Sequence, residues 1–369
     1  METDKELVWI WLSLLGKPNY VVADLILKEY GTFENAWVRA GKNDIPDALR
    51  HTEKLFRRLS DPSLRKKALE IDQRCIKYKI RILTAEDTTY PCNLRQIVNK
   101  PPVIYFKGKL PAEAGIEESR MLAIVGSRKC TAYGRTNSYL FAKRLAENGL
   151  VIVSGMARGI DSEAHKGALA AKGYTIAVLG GGADVVYPSE NLKLYEEICE
   201  KGCVLSEYPP GTPPLKAHFP ARNRIISGLT RGTLVVEAAK HSGAMITVDR
   251  AIEQNRNVYA VPGNITSESS AGCNDLIRTQ GICVTSYLDI LEEYGLAAPR
   301  GMQETCGSIY GLTDNEAAAA SAIARGNYTV NEIVRDADRS TANILSALTM
   351  LEIKGIVTKA SDGTYKLMK

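Results

Sequence analysis

Residues 121–128 read Met-Leu-Ala-Ile-Val-Gly-Ser-Arg: five apolar residues without a break, then a glycine, a serine and a cation. A short unbroken apolar run is the pattern of a strand buried on both faces, and the glycine that closes it marks a strand-to-helix turn. The same texture returns downstream. Leu150-Val-Ile-Val153 turns at Ser154-Gly155, and Thr175-Ile-Ala-Val-Leu179 turns at Gly180-Gly181-Gly182. Thr233–Val236 and Asn257–Val261 follow, with Ile282–Val284 as a candidate last strand. Helices are expected between them near 133–148, 161–172, 190–200, 219–228, 244–254 and 286–294. This alternation predicts an α/β fold over residues 111–295, a Rossmann-like parallel sheet with helices on both faces. Ligands of such sheets sit at the carboxyl ends of the strands, where the glycine turns fall.

Outward from this segment the pattern changes on both sides. Residues 1–110 read as a small helical module, of the SAM or helix-hairpin-helix kind. Val8, Trp9, Trp11, Leu12 and Leu15 share one helical face, and Val22, Leu25, Ile26 and Tyr30 repeat the pattern before Gly31. Breaks are expected at Gly16-Lys17-Pro18, Gly31 and Gly41, and the module ends in a strand-like Ile80–Leu83 and a Pro101–Phe106 segment. On the other side, 296–310 reads as a linker, and 311–369 as a separate module. Leu312-Thr313-Asp314 caps an alanine-rich helix, Thr329 starts a second, and Ser340-Thr341 caps a third. Gly355–Thr358 and Gly363–Leu367 then form a two-stranded ribbon, which together with three helices is the winged-helix arrangement.

Bulk properties bound the function. Of 369 residues, 45% are hydrophobic and 24% charged, the balance of a globular protein with a real core. No apolar run reaches the ~18–20 residues of a membrane helix. Leu7–Leu15 is apolar, but Asp4, Lys5 and Glu6 precede it and no small-residue cleavage site follows, so it reads as a buried helix and the protein as cytoplasmic. The eight cysteines, at 75, 92, 130, 199, 203, 273, 283 and 306, form no C-x-x-C pair and read as small core residues. The four histidines, at 51, 165, 218 and 241, are far apart, so no metal and no cofactor is expected. Net charge is +5. Residues 1–119 hold 20 basic and 17 acidic side chains, residues 120–295 hold 19 and 17, and residues 311–369 hold 7 of each. No segment has the basic excess of a protein that coats DNA through overall charge, so a nucleic-acid site must be a local cluster.

Two such clusters stand out. Gly126-Ser127-Arg128 would free backbone N–H groups for an anion at a helix N-terminus, and Arg128 adds a guanidinium fork; the alternative is a plain βα turn with a surface arginine. Lys216-Ala-His-Phe219-Pro-Ala-Arg222-Asn223-Arg224 packs three cations and one aromatic into nine residues. Cations for the backbone and an aromatic for a base is how single strands are gripped; the alternative is a surface loop with Phe219 tucked into the core. Ser154-Gly155 opens a third turn, with Asp161 expected as the helix N-cap. Gly180 and Gly182 fit a dinucleotide fingerprint only in part, because Val185 stands where the third glycine belongs, which argues against an NAD enzyme. The C-terminal module has no net charge, which argues against a strong grip on duplex phosphates; its third helix carries Asn343 and few cations.

In order along about 155 residues, the chain carries Val-Gly-Ser-Arg (125–128), Ser-Gly-x-Ala-x-Gly-Ile-Asp (154–161), Leu-Gly-Gly-Gly (179–182) with Tyr187-Pro188, and Phe-Pro-x-Arg-Asn-Arg-Ile-Ile-Ser-Gly-Leu (219–229). Val236-Glu237-Ala238, Ser242-Gly243-Ala244, Val261-Pro262-Gly263 and Gly272-x-Asn274-x-Leu-Ile277 complete the set. It resembles the DNA processing protein A (DprA/Smf) family. The resemblance implies a non-enzymatic recombination mediator that binds and protects single-stranded DNA taken up in natural transformation. It also implies loading of the RecA recombinase, displacement of single-strand-binding protein, and a homodimer formed through the Rossmann-like domain. It places DNA contacts on Gly126, Ser127, Arg128, Ser154, Gly155, Lys216, Phe219, Arg222, Asn223 and Arg224, with Arg128 and Lys216 on phosphate and Phe219 on a base. The Rossmann-like domain is also similar to nucleotide phosphoribohydrolases, which need Pro-Gly-Gly-x-Gly-Thr-x-x-Glu. Here that stretch is Gly228–Val236: the Pro-Gly-Gly is lost, valine replaces the acid, and Glu237 comes one place late on the other face of a strand.

Overall fold

The computed structural model describes residues 5–16, 19–50, 53–296, 312–360 and 363–367. The break expected at Lys17-Pro18 and the linker expected at 296–310, beyond residue 296, lie outside the described residues. The chain divides into two units, Met1–Gly295 and Leu296–Lys369.

Six helices open the first unit: α1 (Lys5–Leu14), α2 (Asn19–Tyr30), α3 (Phe33–Gly41), α4 (Asp47–Arg50), α5 (Glu53–Leu59) and α6 (Pro62–Tyr78). Their apolar faces meet around two tryptophans. Trp9 packs edge-on against Phe33, ring centroids 4.7 Å apart, and Trp11 against Trp37 at 5.4 Å. Thr32 and Asp61 cap α3 and α6 with their side chains, and proline follows Asp61 at the first position of α6. Strands β1 (Arg81–Thr84) and β2 (Val103–Gly108), separated by the short α7 (Cys92–Arg95), carry this core onward: Val103 and Tyr105 are buried in the same cluster as Trp9 and Ile26. Strands β1 and β2, which lie within the 1–110 segment expected as a helical module, therefore belong to the central sheet.

The rest of this unit alternates as expected: β3 (Met121–Val125), α8 (Ala132–Glu147), β4 (Val151–Ser154), α9 (Ile160–Ala170), β5 (Thr175–Val178), α10 (Leu192–Lys201), β6 (Cys203–Ser206), α11 (His218–Gly228), β7 (Gly232–Val235), α12 (Gly243–Glu253), β8 (Asn257–Ala260), α13 (Ala271–Thr279), β9 (Ile282–Cys283) and α14 (Tyr287–Glu293). Among the described residues the nine strands form one sheet in the order β1-β2-β6-β5-β4-β3-β7-β8-β9. From β6 to β9 all neighbours are parallel, whereas β2 pairs antiparallel with β6 and β1 antiparallel with β2. The parallel sheet expected over residues 111–295 is thus present from β6 to β9, and β1 and β2, from residues before it, extend it antiparallel. Strand β6 is not among the expected strands; its Cys-Val-Leu-Ser is followed by Glu207 rather than closed by a glycine turn, and all four residues are buried between β5 and β2. Starting from β3 the chain builds β4, β5 and β6 to one side, then returns along α11 to place β7 on the other side. The switch point, where such sheets bind ligands, is therefore between β3 and β7.

A second correction concerns α9. Gly159, not Asp161, takes the N-cap position, with φ +77°. A Cβ on Gly159 would lie 2.4 Å from the Ser127 carbonyl oxygen, so both conformation and space require glycine there. Asp161 sits inside the first turn and its Oδ2 accepts from Ala157 N at 3.4 Å.

The second unit contains α15 (Asp314–Ala324), α16 (Val330–Ala337), α17 (Thr341–Ile353) and the antiparallel pair β10 (Val357–Lys359) and β11 (Tyr365–Leu367). Reciprocal caps join Thr313 with Glu316 and Thr329 with Glu332, and Ser340 caps α17. Ile323, Ile333, Ile344, Leu348 and Leu351 form its core. Among the described residues no helix is long and apolar enough to cross a membrane.

Candidate nucleic-acid interface

A cleft of ≈ 640 Å³ opens at the switch point, walled by the turns after β3 and β4, the loop after β5, the start of α11 and the start of α12. Gly126, Ser127 and Arg128 form its rim at the end of β3. Ser127 N donates to Glu237 O at 2.7 Å, which ties this turn to the end of β7. Arg128 is exposed, and its guanidinium carbon lies 5.0 Å from the centroid of the Phe219 ring. At that distance the cation and the ring face attract each other, and each can meet a strand laid across them. Phe219 is half-buried in the first turn of α11, and the exposed ring of Tyr187 leans on it, centroids 5.6 Å apart at 49°. Lys216, just ahead of α11, and Lys129 are exposed; among the described residues neither they nor Arg128 has an ion-pair partner.

Beneath these exposed groups lies a buried charge. Arg222 is 3% exposed, its Nη1 donates to the Val178 carbonyl, and its Nε has no hydrogen-bond partner. The guanidinium passes over Gly155, where a Cβ would lie 2.2 Å from Nη1; this close approach is why a glycine stands there. Burial lowers the Arg222 pKa to about 10, opposed by attraction to Asp161 and aided by repulsion from Arg128. Asp161, also lining the cleft, is raised to about 6 by burial, with Arg222 and the backbone N–H groups of Ala157 and Gly155 pulling the other way.

Seven of the ten residues singled out from sequence line this cleft: Gly126, Ser127, Arg128, Lys216, Phe219, Arg222 and Asn223. Three do not. Ser154 is buried and its hydroxyl donates to Ile124 O at 2.6 Å. Gly155 lies against the Arg222 guanidinium. Arg224 points to the other side of α11, donating to Asn99 O at 2.8 Å and pairing with Glu207 at 2.6 Å. Its spacing explains this: two residues after Arg222 is about 200° around a helix.

The sequence reading missed Lys129, Tyr187 and the start of α12. Lys129 directly follows Arg128, and Tyr187 is an aromatic in the loop after the triple glycine, so each had a local signal. Ser242 stands at the N-cap of α12 but makes no side-chain capping bond, and its Oγ is buried without a partner. The first turn of α12 therefore presents its free N–H groups and positive dipole end to the cleft, an arrangement that favours an anion. Glu237, the acid nearest to the hydrolase pattern, lies elsewhere: it is buried, and its carboxylate accepts from Thr131 N at 3.0 Å and from Thr131 Oγ1 at 2.6 Å at the start of α8.

Comparison with known proteins gives the family. Residues 81–295 match the family model described as DNA recombination-mediator protein A. The chain is 47% identical over 208 residues to DNA processing protein DprA of Streptococcus pneumoniae, covering 56% of this chain and 72% of that protein. It is 34% identical over 299 residues to protein Smf of Synechocystis, covering 80% and 74%. The crystal structure of the pneumococcal DprA superposes with a TM-score of 0.60 at 36% identity, covering 79% of this chain and 99% of that one. A structure of DNA processing protein A from Helicobacter pylori, described for its mode of binding single-stranded DNA, superposes with a TM-score of 0.52 at 28% identity, covering 58% and 95%. A match that spans the sheet, the glycine turns and the cleft leaves one assignment: this chain belongs to the DNA recombination-mediator protein A family, whose members include DprA and Smf.

Proposed function

We propose that the switch-point cleft binds single-stranded DNA without sequence preference. The observation that carries this reading is the pairing of an exposed guanidinium that has no ion partner among the described residues, Arg128, with the face of Phe219 5.0 Å away. Arg128, Lys129 and Lys216 hold successive phosphates, the start of α12 receives another, and Phe219 with Tyr187 stacks bases, since every base has a face and stacking does not choose among them. Arg222 acts from below, as fixed positive charge beneath the cleft. The single-strand binding described for the Helicobacter pylori relative supports the same ligand class. The protein works as a recombination mediator rather than an enzyme: it protects incoming strands during natural transformation, displaces single-strand-binding protein and loads RecA, as a cytoplasmic homodimer joined through the Rossmann-like domain. The engagement of Glu237 by Thr131 supports the non-enzymatic reading, because the one acid near the hydrolase pattern is committed to a helix start.

Fluorescence anisotropy with a labelled strand of ~20–30 nucleotides and the matching duplex, at two salt concentrations, tests the binding reading. Tight, salt-sensitive preference for the single strand, lost in Lys216→Ala, is expected; equal or negligible binding to both forms overturns it. The mediator reading is tested by RecA strand exchange on DNA coated with single-strand-binding protein, where the protein should restore exchange and Arg128→Ala should not.

A further inference from the structure

Helix α11 separates the cleft from a second groove of ≈ 980 Å³. The helix serves both. Phe219, Arg222, Asn223 and Ile226, spaced i, i+3, i+4 and i+7, face the cleft, while Pro220, Ala221 and Arg224 face the groove. Pro220 lines both, so the two are contiguous across the first turn of α11. The opposite wall of the groove is the 96–100 segment together with the end of α12 and the turn after it.

The chemistry of this groove matches a nucleotide better than a protein surface. Lys100 has no ion-pair partner among the described residues, and Arg250 is exposed and pairs only with its own helix neighbour Glu253 at 2.5 Å. Arg224 is neutralised by Glu207, and Arg250 shares only a solvent-exposed pair with Glu253 that a phosphate can displace, so with Lys100 and Arg256 the groove's cations outnumber its acids. Arg256 donates through Nη2 to Asn93 O at 3.2 Å while its buried Nε has no partner. Gln254 donates to Arg224 O at 3.0 Å, which leaves its Oε1 buried and unpartnered. Val98, 78% exposed, gives an apolar surface on the opposite wall. An excess of cations suits phosphates, and an exposed apolar side chain suits a base face.

We propose that this groove is a second subsite for the same single strand, taking the nucleotides that follow those held in the cleft, with Lys100 and Arg250 on their phosphates. The proposal rests on the reading of the cleft as the single-strand site. It makes the binding length of the protein longer than the cleft alone allows, with the strand crossing over Pro220.

Affinity measured against oligonucleotide length separates the two sites. Strands of ~6 and ~25 nucleotides are titrated against the full chain and against Lys100→Ala/Arg250→Ala, with Lys216→Ala as the cleft control. The double variant is expected to bind the short strand like the parent but the long strand more weakly. Its salt slope on the long strand should fall by roughly 1.4, at about 0.7 for each single-strand phosphate that the protein no longer neutralises. Lys216→Ala is expected to weaken both lengths. Unchanged binding of the long strand by the double variant, or equal weakening of both lengths, overturns the groove. Unchanged binding of both lengths by Lys216→Ala overturns the cleft reading instead. If the alanine pair unfolds the protein, Lys100→Gln/Arg250→Gln removes the same charges while keeping the aliphatic stems, and the same outcomes decide.

Discussion

Single residues in the cleft divide into those that meet ligand and those that hold the floor. Phe219 belongs to the first kind: Phe219→Ala should weaken single-strand binding by ~1–3 kcal/mol per stacked base, read by anisotropy, with little change in melting temperature because the ring is only half-buried. Asp161 belongs to the second. Burial raises its pKa to about 6 from the ordinary carboxylate value near 4. A raised acid binds its proton more tightly in the folded state, so its contribution to stability is present below about pH 4 and is lost as pH rises through 6. Asp161→Asn should therefore gain on the parent by about 2–3 kcal/mol between those two pH values, measured by urea unfolding across the range. His165 works in the opposite sense. It is fully buried and its pKa is lowered to about 3 by burial, so its contribution is lost as pH falls below its ordinary value. Because His165 is unchanged in the Asp161 variant, comparing the two proteins isolates the carboxylate.

At the scale of elements, the cleft depends on a tie between the N-terminal helices and two loops. Arg74 of α6 donates from Nε and Nη2 to Asp184 Oδ2 at 3.0 and 2.8 Å, and Asp184 Oδ1 accepts from Gly211 N at 2.7 Å. Asp184 lies between the triple glycine and Tyr187, and Gly211 lies in the loop that leads to Lys216. One largely buried carboxylate thus joins α6 to both loops that carry cleft residues. Asp184→Ala leaves the Gly211 N–H and the Arg74 guanidinium without this acceptor and should cost about 1–3 kcal/mol of stability in urea unfolding. Arg74→Ala removes a half-exposed partner and should cost about 0–1 kcal/mol. In the C-terminal unit a similar buried acid joins α15 to the end of α17. Burial pushes the Glu316 pKa up, but Lys354, the Thr313 N–H and the Thr313 hydroxyl together bring it below its ordinary value. The stability this adds is present above the ordinary glutamate range and is lost as pH falls through the lowered value. Glu316→Gln should remove that acid-sensitive component, seen as less dependence of this unit's unfolding on pH below about 4.5.

Across the whole molecule, the net charge of +5 is small for a nucleic-acid binder, so affinity must come from charge placed locally. Duplex DNA, whose stiff backbone cannot bring unstacked bases to Phe219, should bind weakly at physiological salt. Arg128→Ala/Lys216→Ala should then lower the salt slope of single-strand binding by roughly 1.4, at about 0.7 for each phosphate left without its cation, with Lys129 and the groove cations carrying the remainder. A slope left unchanged by the double substitution would place the phosphates elsewhere.

What the sequence determined by itself was local. Short apolar runs closed by glycine specified the strands of the parallel sheet, because a strand buried on both faces has no polar alternation to hide it. The spacing of Lys216, Phe219 and Arg222, with the Gly126-Ser127-Arg128 turn, marked most of the cleft, because cations and an aromatic concentrated in a few residues have little use in a core. Tertiary structure alone decided the rest. It joined β1, β2 and β6 to the sheet, since which distant segments pair leaves no local trace in the sequence. It turned Arg224 into the partner of Glu207 and Ser154 into a buried hydroxyl, because the side of a helix or strand that faces a ligand depends on what packs against the other side. It also set Tyr187 and the first turn of α12 beside Phe219, residues separated in sequence that meet only where the order of strands reverses.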